Sequence, residues 1–205
     1  MTTSASEKHA DQIPLRGGHL ALDFVNTAGW HASDEPAEWL VSYDELARWG
    51  AHAGALTARE AQSLRRKAAQ GGPHPARVLS QTLALREALF RTLRALVAGK
   101  SAAPVDLQLI AAEHSGAMSR VKLVRAGAGY AVGWPPGDAL DLPRWKVAHA
   151  ALELLTSPEL ERLRECGGHP CGWLFLDRSP NRSRRWCSSE ECGNRERVRR
   201  FSGRR

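Results

Sequence analysis

All four cysteines of the chain fall between positions 166 and 192. Cys166, Cys171, Cys187 and Cys192 are spaced C-x4-C-x15-C-x4-C. A structural zinc ion takes four ligands at the corners of a tetrahedron, and thiolates are its preferred partners. Two close pairs joined by a hairpin-sized loop deliver that set from one short segment. The competing arrangement, two disulfides, needs an oxidising compartment. Four unrelated buried thiols would not fall so regularly into two pairs. His169, inside Cys166-Gly-Gly-His-Pro-Cys171, is a substitute ligand only if a thiolate is missing, and is read as exposed or beside the site. The spacing therefore predicts one Zn2+ ion in a closed, structural site with no open position for catalysis.

The residues between and after the cysteines specify what the ion would hold. Trp173-Leu-Phe-Leu176 reads as a strand, Asp177 to Asn181 as a turn and Arg184-Arg185-Trp186 as the return strand. Ser188 or Ser189 is placed to cap a helix starting near Glu190, with Cys192 in its first turn. A knuckle, a hairpin and a helix sharing one zinc make a treble-clef-like finger. Further on, Val198 and Phe201 lie three apart and are expected to pack onto the hairpin, while Arg197, Arg199, Arg200 and Arg204 project outward. Arg182, Arg184 and Arg185 join them from the hairpin. Arg195 is suited equally to neutralising a zinc-bound sulfur and to binding phosphate.

The charge distribution gives these arginines a partner. The net charge is +7, of which residues 161–205 hold 12 basic and 6 acidic residues, a balance of +6. The preceding 160 residues are nearly neutral. Ten arginines and no lysine lie between Arg178 and Arg205, and guanidinium forks match phosphate oxygens and guanine edges better than ammonium groups do. Nucleic acid, DNA or RNA, is the expected ligand. A protein docked by the finger as an adaptor is the alternative.

The finger must be carried by the longer segment ahead of it. Residues 1–15 read as a disordered leader, residues 16–160 as a helical domain and residues 161–205 as the finger with its basic C-terminal helix. Leu20, Leu22 and Phe24 alternate with Ala21, Asp23 and Val25, a pattern that suits a short strand or the start of a buried helix. Ser42-x-x-Glu45 and Thr57-x-x-Glu60 are capping boxes, each opening a helix. The longest helix is expected from about Ala76 to Ala98, with Leu85, Leu89, Leu93 and Leu96 along one stripe. Pro104 opens another, with Leu107, Ile110 and Ala111 facing inward. Val121–Arg125 and Tyr130–Trp134 read as a hairpin ended by Pro135-Pro136-Gly137, and Pro143 opens a helix carrying Val147, Ala150, Ala151 and Leu154. Ser157-Pro158-Glu159 starts a short helix leading into Cys166. The fold class is mainly α with a small β-hairpin, a helical N-terminal domain followed by the finger.

Two stretches of this sequence resemble known families. Cys171-Gly-Trp-Leu-Phe-Leu-Asp-Arg-Ser179, Arg185-Trp-Cys-Ser-Ser189 and Cys192-Gly-Asn-Arg195 closely resemble the CGNR zinc finger. Leu20-Ala-Leu-Asp-Phe-Val-Asn-Thr27 resembles the opening of the ABATE domain, usually found ahead of that finger. The resemblance implies a stress-induced bacterial transcription regulator, and it puts double-stranded DNA ahead of RNA as the ligand, with a protein- or RNA-binding adaptor as the alternative.

Other classes find less support. Met1 to Pro14 is polar and holds no secretory apolar run, and no segment approaches the ~20 apolar residues of a membrane span, so a cytoplasmic protein without a membrane role is expected. No nucleophile elbow, phosphate loop or His/carboxylate metal motif points to an enzyme. Asp23, Asn26 and Thr27 place polar side chains in an apolar segment, with His19 and Trp30 near in sequence. They are read first as caps or core hydrogen bonders, and secondly as a pocket for a small-molecule or protein effector.

Overall fold

The computed structural model describes residues 9–134 and 139–202. Arg204, the first eight leader residues and the Pro135-Pro136-Gly137 stop lie outside the described residues. No described helix is long and apolar enough to cross a membrane.

Residues 9–15 are not a free leader. Ala10 and Ile13 are buried, and a 3-10 turn over Ala10–Gln12 ties this segment to the next helices. The amide of Ala10 donates to Glu45 Oε2 at 2.7 Å, and His52 Nε2 meets the Ile13 carbonyl at 2.8 Å. Helix α1 then spans Leu20–Val25, capped by the His19 ring, which accepts from the Ala21 amide. The alternating pattern is thus a helix, not a strand. Five of its six residues are buried, Asp23 among them, so both faces turn inward and the alternation carries no information on period.

The two-residue strands β1 (Ala28–Gly29) and β2 (Ala37–Glu38) pair antiparallel. Helix α2 runs over Tyr43–His52 and α3 over Ala58–Ala68. Thr57 and Glu60 form the full reciprocal box at α3, whereas at α2 only Ser42 does its part, accepting from the Glu45 amide at 3.2 Å. The Glu45 carboxylate turns away to the Ala10 amide and His9.

Helix α4 (His74–Val97) forms the spine, with Val78, Leu85, Leu89 and Leu93 fully buried and Leu96 at the rim. Helix α5 (Pro104–Met118) buries Asp106, Ile110 and Ala117, while Leu107 and Ala111 face solvent. The Asp106 carboxylate accepts from Arg91 Nε at 3.0 Å, so this ion pair to α4, not Leu107, sets the inward stripe. Strands β3 (Lys122–Ala126) and β4 (Gly129–Gly133) form the expected hairpin, and α6 (Leu142–Leu155) packs on α5 and α1. A 3-10 turn over Pro158–Arg162, with Ser157 accepting from the Glu159 amide, leads into the finger.

The finger does not stand apart. Strand β5 (Leu163–Glu165) pairs antiparallel with β6 (Leu174–Leu176), with Leu163 opposite Leu176. Leu163, Leu174 and Leu176 lie in the same apolar core as Leu22, Leu89 and Leu154. A second small cluster gathers the four cysteines around Phe175.

Candidate metal centre and nucleic-acid interface

Cys166 and Cys171 sit on the loop joining β5 to β6, Cys187 follows an irregular segment, and Cys192 lies in a π-turn over Ser189–Gly193 that runs into α7 (Asn194–Ser202). Ser188 caps this turn by accepting from the Glu191 amide at 3.2 Å. The four Sγ atoms lie within 4.8 Å of one another and all four residues are buried. The Cys171–Cys187 and Cys187–Cys192 sulfurs are 3.7 and 3.6 Å apart. These distances are too long for disulfides. They fit one ion, since four sulfurs at ~2.3 Å from a tetrahedral zinc lie ~3.8 Å from each other.

The chemistry of the donor set also calls for a cation. Hydrogen bonds from the Cys171 and Cys187 thiols draw Cys166 down to about 2, while its proximity pushes Cys187 up to about 12. Burial raises the Cys192 thiol as well. So close together, the four cannot all ionise unless a metal balances them, and binding releases the retained protons. Polar groups point at the sulfurs: the Cys187 amide donates to Cys166 Sγ at 3.3 Å and Arg195 Nη2 to Cys192 Sγ at 3.4 Å. Gly168 permits the closure, because a Cβ there would stand 2.9 Å from that of Cys192. His169 is exposed and outside the group.

Two expectations about the finger change. Arg184 to Trp186 is not a return strand, since β6 pairs with β5 instead. The Asp177 carboxylate, accepting from the Ser179 and Arg184 amides at 2.9 Å, holds that segment as a turn. A backbone bond from the Gly167 amide to the Arg185 carbonyl, 2.9 Å, ties it to the knuckle. Val198 and Phe201 do not pack onto the hairpin; they are 58% and 69% exposed, and Glu196 is the residue of α7 that turns inward.

The arginines divide into two sets. Arg184 lies 4.2 Å over the Phe175 ring and donates to the carbonyls of Trp186 and Cys187 at 3.0 and 2.7 Å, so its fork braces the loop that carries Cys187. Arg195, besides its sulfur, lies 4.5 Å over the Trp30 ring. Arg182, Arg185, Arg197, Arg199 and Arg200 are exposed. Among them Arg199 pairs with Glu196 at 3.1 Å and Arg197 reaches the Ser189 carbonyl at 3.4 Å.

Asp23, Asn26 and Thr27 are buried and bonded within the protein, so the effector-pocket reading gives way to the core reading. Asp23 Oδ1 accepts from the Gly17 amide at 2.8 Å. Thr27 donates to the Phe24 carbonyl at 2.7 Å and accepts from Arg86 at 3.2 Å. Asn26 does more: its Nδ2 donates to the Leu174 carbonyl and its Oδ1 accepts from the Leu174 amide, both at 2.9 Å. One side-chain amide thus acts as a neighbouring strand for the open edge of β6. Leu176 continues this seam by donating to the Gly17 carbonyl at 2.9 Å, and Trp173 Nε1 donates to the Ala28 carbonyl at 3.0 Å.

Burial raises the Asp23 carboxyl from 3.8 to about 6, against the pull of the Gly17 and Arg16 amides. The folded state therefore holds this proton more tightly than the unfolded chain. The stabilisation is present in full below pH ~4 and is lost as pH rises through about 6. Asp23→Asn should remove that dependence. The stability of wild type relative to D23N, from urea melts, should fall by a few kcal/mol between pH ~4 and ~7. A flat difference would show that Asp23 titrates normally.

Two family models match this chain in succession. ABATE, described as "Putative stress-induced transcription regulator", matches residues 18–158. The chain belongs to the ABATE family. The CGNR zinc finger matches residues 162–205 directly behind the ABATE domain, and the four-cysteine cluster lies within it, so the finger holds one structural zinc ion. No curated protein matches the chain. Sequence reasoning overlooked the residues that join the ABATE domain to its finger, above all Arg16, which forms a bidentate pair with Glu191.

Proposed function

We propose that this regulator binds double-stranded DNA in a zinc-dependent manner through α7 and the exposed arginines before it. One observation carries the reading: of Asn194–Ser202, Glu196 alone is buried. A helix anchored by a zinc-bound cysteine at its start and open to solvent along its length has the shape that enters a major groove. Arg197, Arg199 and Arg200 would meet phosphates or guanine edges, and Arg182 and Arg185 the flanking backbone. Arg184 belongs to the fold and Arg195 to the zinc site and its surroundings. The ABATE domain takes the sensing part, toward a ligand or partner, in the bacterial cytoplasm.

Fluorescence anisotropy of the full, zinc-loaded chain against a labelled duplex tests this. Log affinity should fall linearly with log salt, by about 0.9 per neutralised phosphate. Arg197→Ala/Arg199→Ala/Arg200→Ala should flatten the slope by about 1 for each phosphate left without its arginine and weaken binding by roughly one to two orders of magnitude at moderate salt. Arg184→Ala should instead lower the melting temperature. Salt-insensitive binding, or a clear preference for RNA or a protein, would replace this reading with the adaptor.

A further inference from the structure

A cavity of about 520 Å³ lies at the seam between the ABATE domain and the finger. That volume is within the range of small-molecule sites, ~300–1,000 Å³. Its walls carry three indoles, Trp30, Trp39 and Trp173, together with Arg16, Arg195 and Glu191. Three of the zinc ligands, Cys171, Cys187 and Cys192, form its finger side.

Trp30 is the distinctive member. Its backbone sits at φ 54, the left-handed region that a large side chain rarely adopts, and the residue is 39% exposed. A strained backbone holding an indole at the mouth of a cavity is the kind of feature that gathers at ligand sites. Trp173 is fixed at its polar end by the Ala28 carbonyl, which leaves its ring for packing. Gly29 keeps space beside Trp39, because a Cβ there would come 3.3 Å from the Trp39 Nε1.

Charge selects the ligand class. Zinc with four thiolates carries a formal −2 and Glu191 adds −1, against +1 each from Arg16 and Arg195, so the surroundings sum to about −1. Both guanidinium groups are already engaged, Arg16 by Glu191 and Arg195 by Cys192 Sγ and the Trp30 face. The negative balance disfavours an anion, and flat indole and guanidinium faces suit a flat ring.

We infer that this seam binds a small, uncharged, planar aromatic molecule, stacked against Trp30 and Trp39. Such a ligand competes with Arg195 for the Trp30 ring, and Arg195 stands in the first turn of α7. Occupancy is therefore transmitted to the exposed helix. That transmission rests on the DNA-binding reading; the binding itself does not.

Titration calorimetry of the full, zinc-loaded chain with 2-naphthol tests the site without any nucleic acid. One saturable site is expected, with 2-naphthalenesulfonate, its anionic counterpart, about tenfold weaker or worse. Trp30→Ala should bind about three- to tenfold more weakly, Trp30→Phe should restore most of the affinity, and both should retain one zinc per chain. Gly29→Ala, which narrows the cavity without removing a ring, should also weaken binding. No saturable binding of 2-naphthol, undiminished binding in both Trp30→Ala and Gly29→Ala, or equal affinity for the sulfonate would overturn the inference. A chain that binds 2-naphthol but no duplex would leave the site standing and remove the DNA reading alone.

Discussion

Removing zinc from the full chain with a chelator, or replacing Cys187 by Ser, is expected to unfold the segment from the knuckle to the end of α7. Cys187 is the more telling of the two interventions, since its sulfur lies within 3.7 Å of both Cys171 and Cys192. Structural zinc is worth ~10–16 kcal/mol to small finger peptides, far more than any apolar contact around Phe175 can replace. Hydrogen exchange should show protection lost across residues 166–202, and duplex binding should drop below detection. Helices α2 to α6 should persist at room temperature but melt several degrees lower, because Leu163, Leu174 and Leu176 belong to their core. Unchanged protection of residues 187–202 after verified loss of zinc would show that the metal does not organise the finger.

The second large effect belongs to Asn26, which is 1% exposed and bonded to both backbone groups of Leu174. Asn26→Ala leaves a buried amide and a buried carbonyl unpaired, at ~1–3 kcal/mol each, so a total loss of roughly 2–5 kcal/mol is expected. For a chain of this size that lowers the melting temperature by ~5–15 °C. Asn26→Asp should be no better, because a carboxylate cannot donate to the Leu174 carbonyl and would be buried beside it. Urea melts of both variants measure this, and a loss under ~0.5 kcal/mol in N26A would mean that the side chain does not carry the β6 edge.

The zinc ligands could be read from spacing because metal chemistry fixes both the residue type and the separation. Most helices were legible as well, since proline first turns and capping serines and threonines act within four residues. What the sequence hid were choices decided by distant partners. Leu20 to Val25 is buried on both faces, Asp23 included, so nothing local separates strand from helix. Arg184 and Arg197 look alike in a run of arginines, yet Phe175 and two carbonyls turn the first inward. Glu45 has the position of a box residue, but an amide 35 positions earlier claims its carboxylate. Trp30 and Trp39 gave no periodic signal, because they flank the two-residue strands that set their orientation.

The pairing of Asn26 with β6 bears on how far this finger can be moved by engineering. A zinc module whose strands supply side chains to another domain's core, and whose edge is sealed by a borrowed amide, is not a portable cassette. Residues 162–205 grafted behind a foreign domain would bring the four thiols but expose Leu163, Leu174 and Leu176. A working transplant would have to carry Gly17, Asn26 and Ala28 as its socket. The unit that folds is therefore the finger together with the helix and hairpin it sits on.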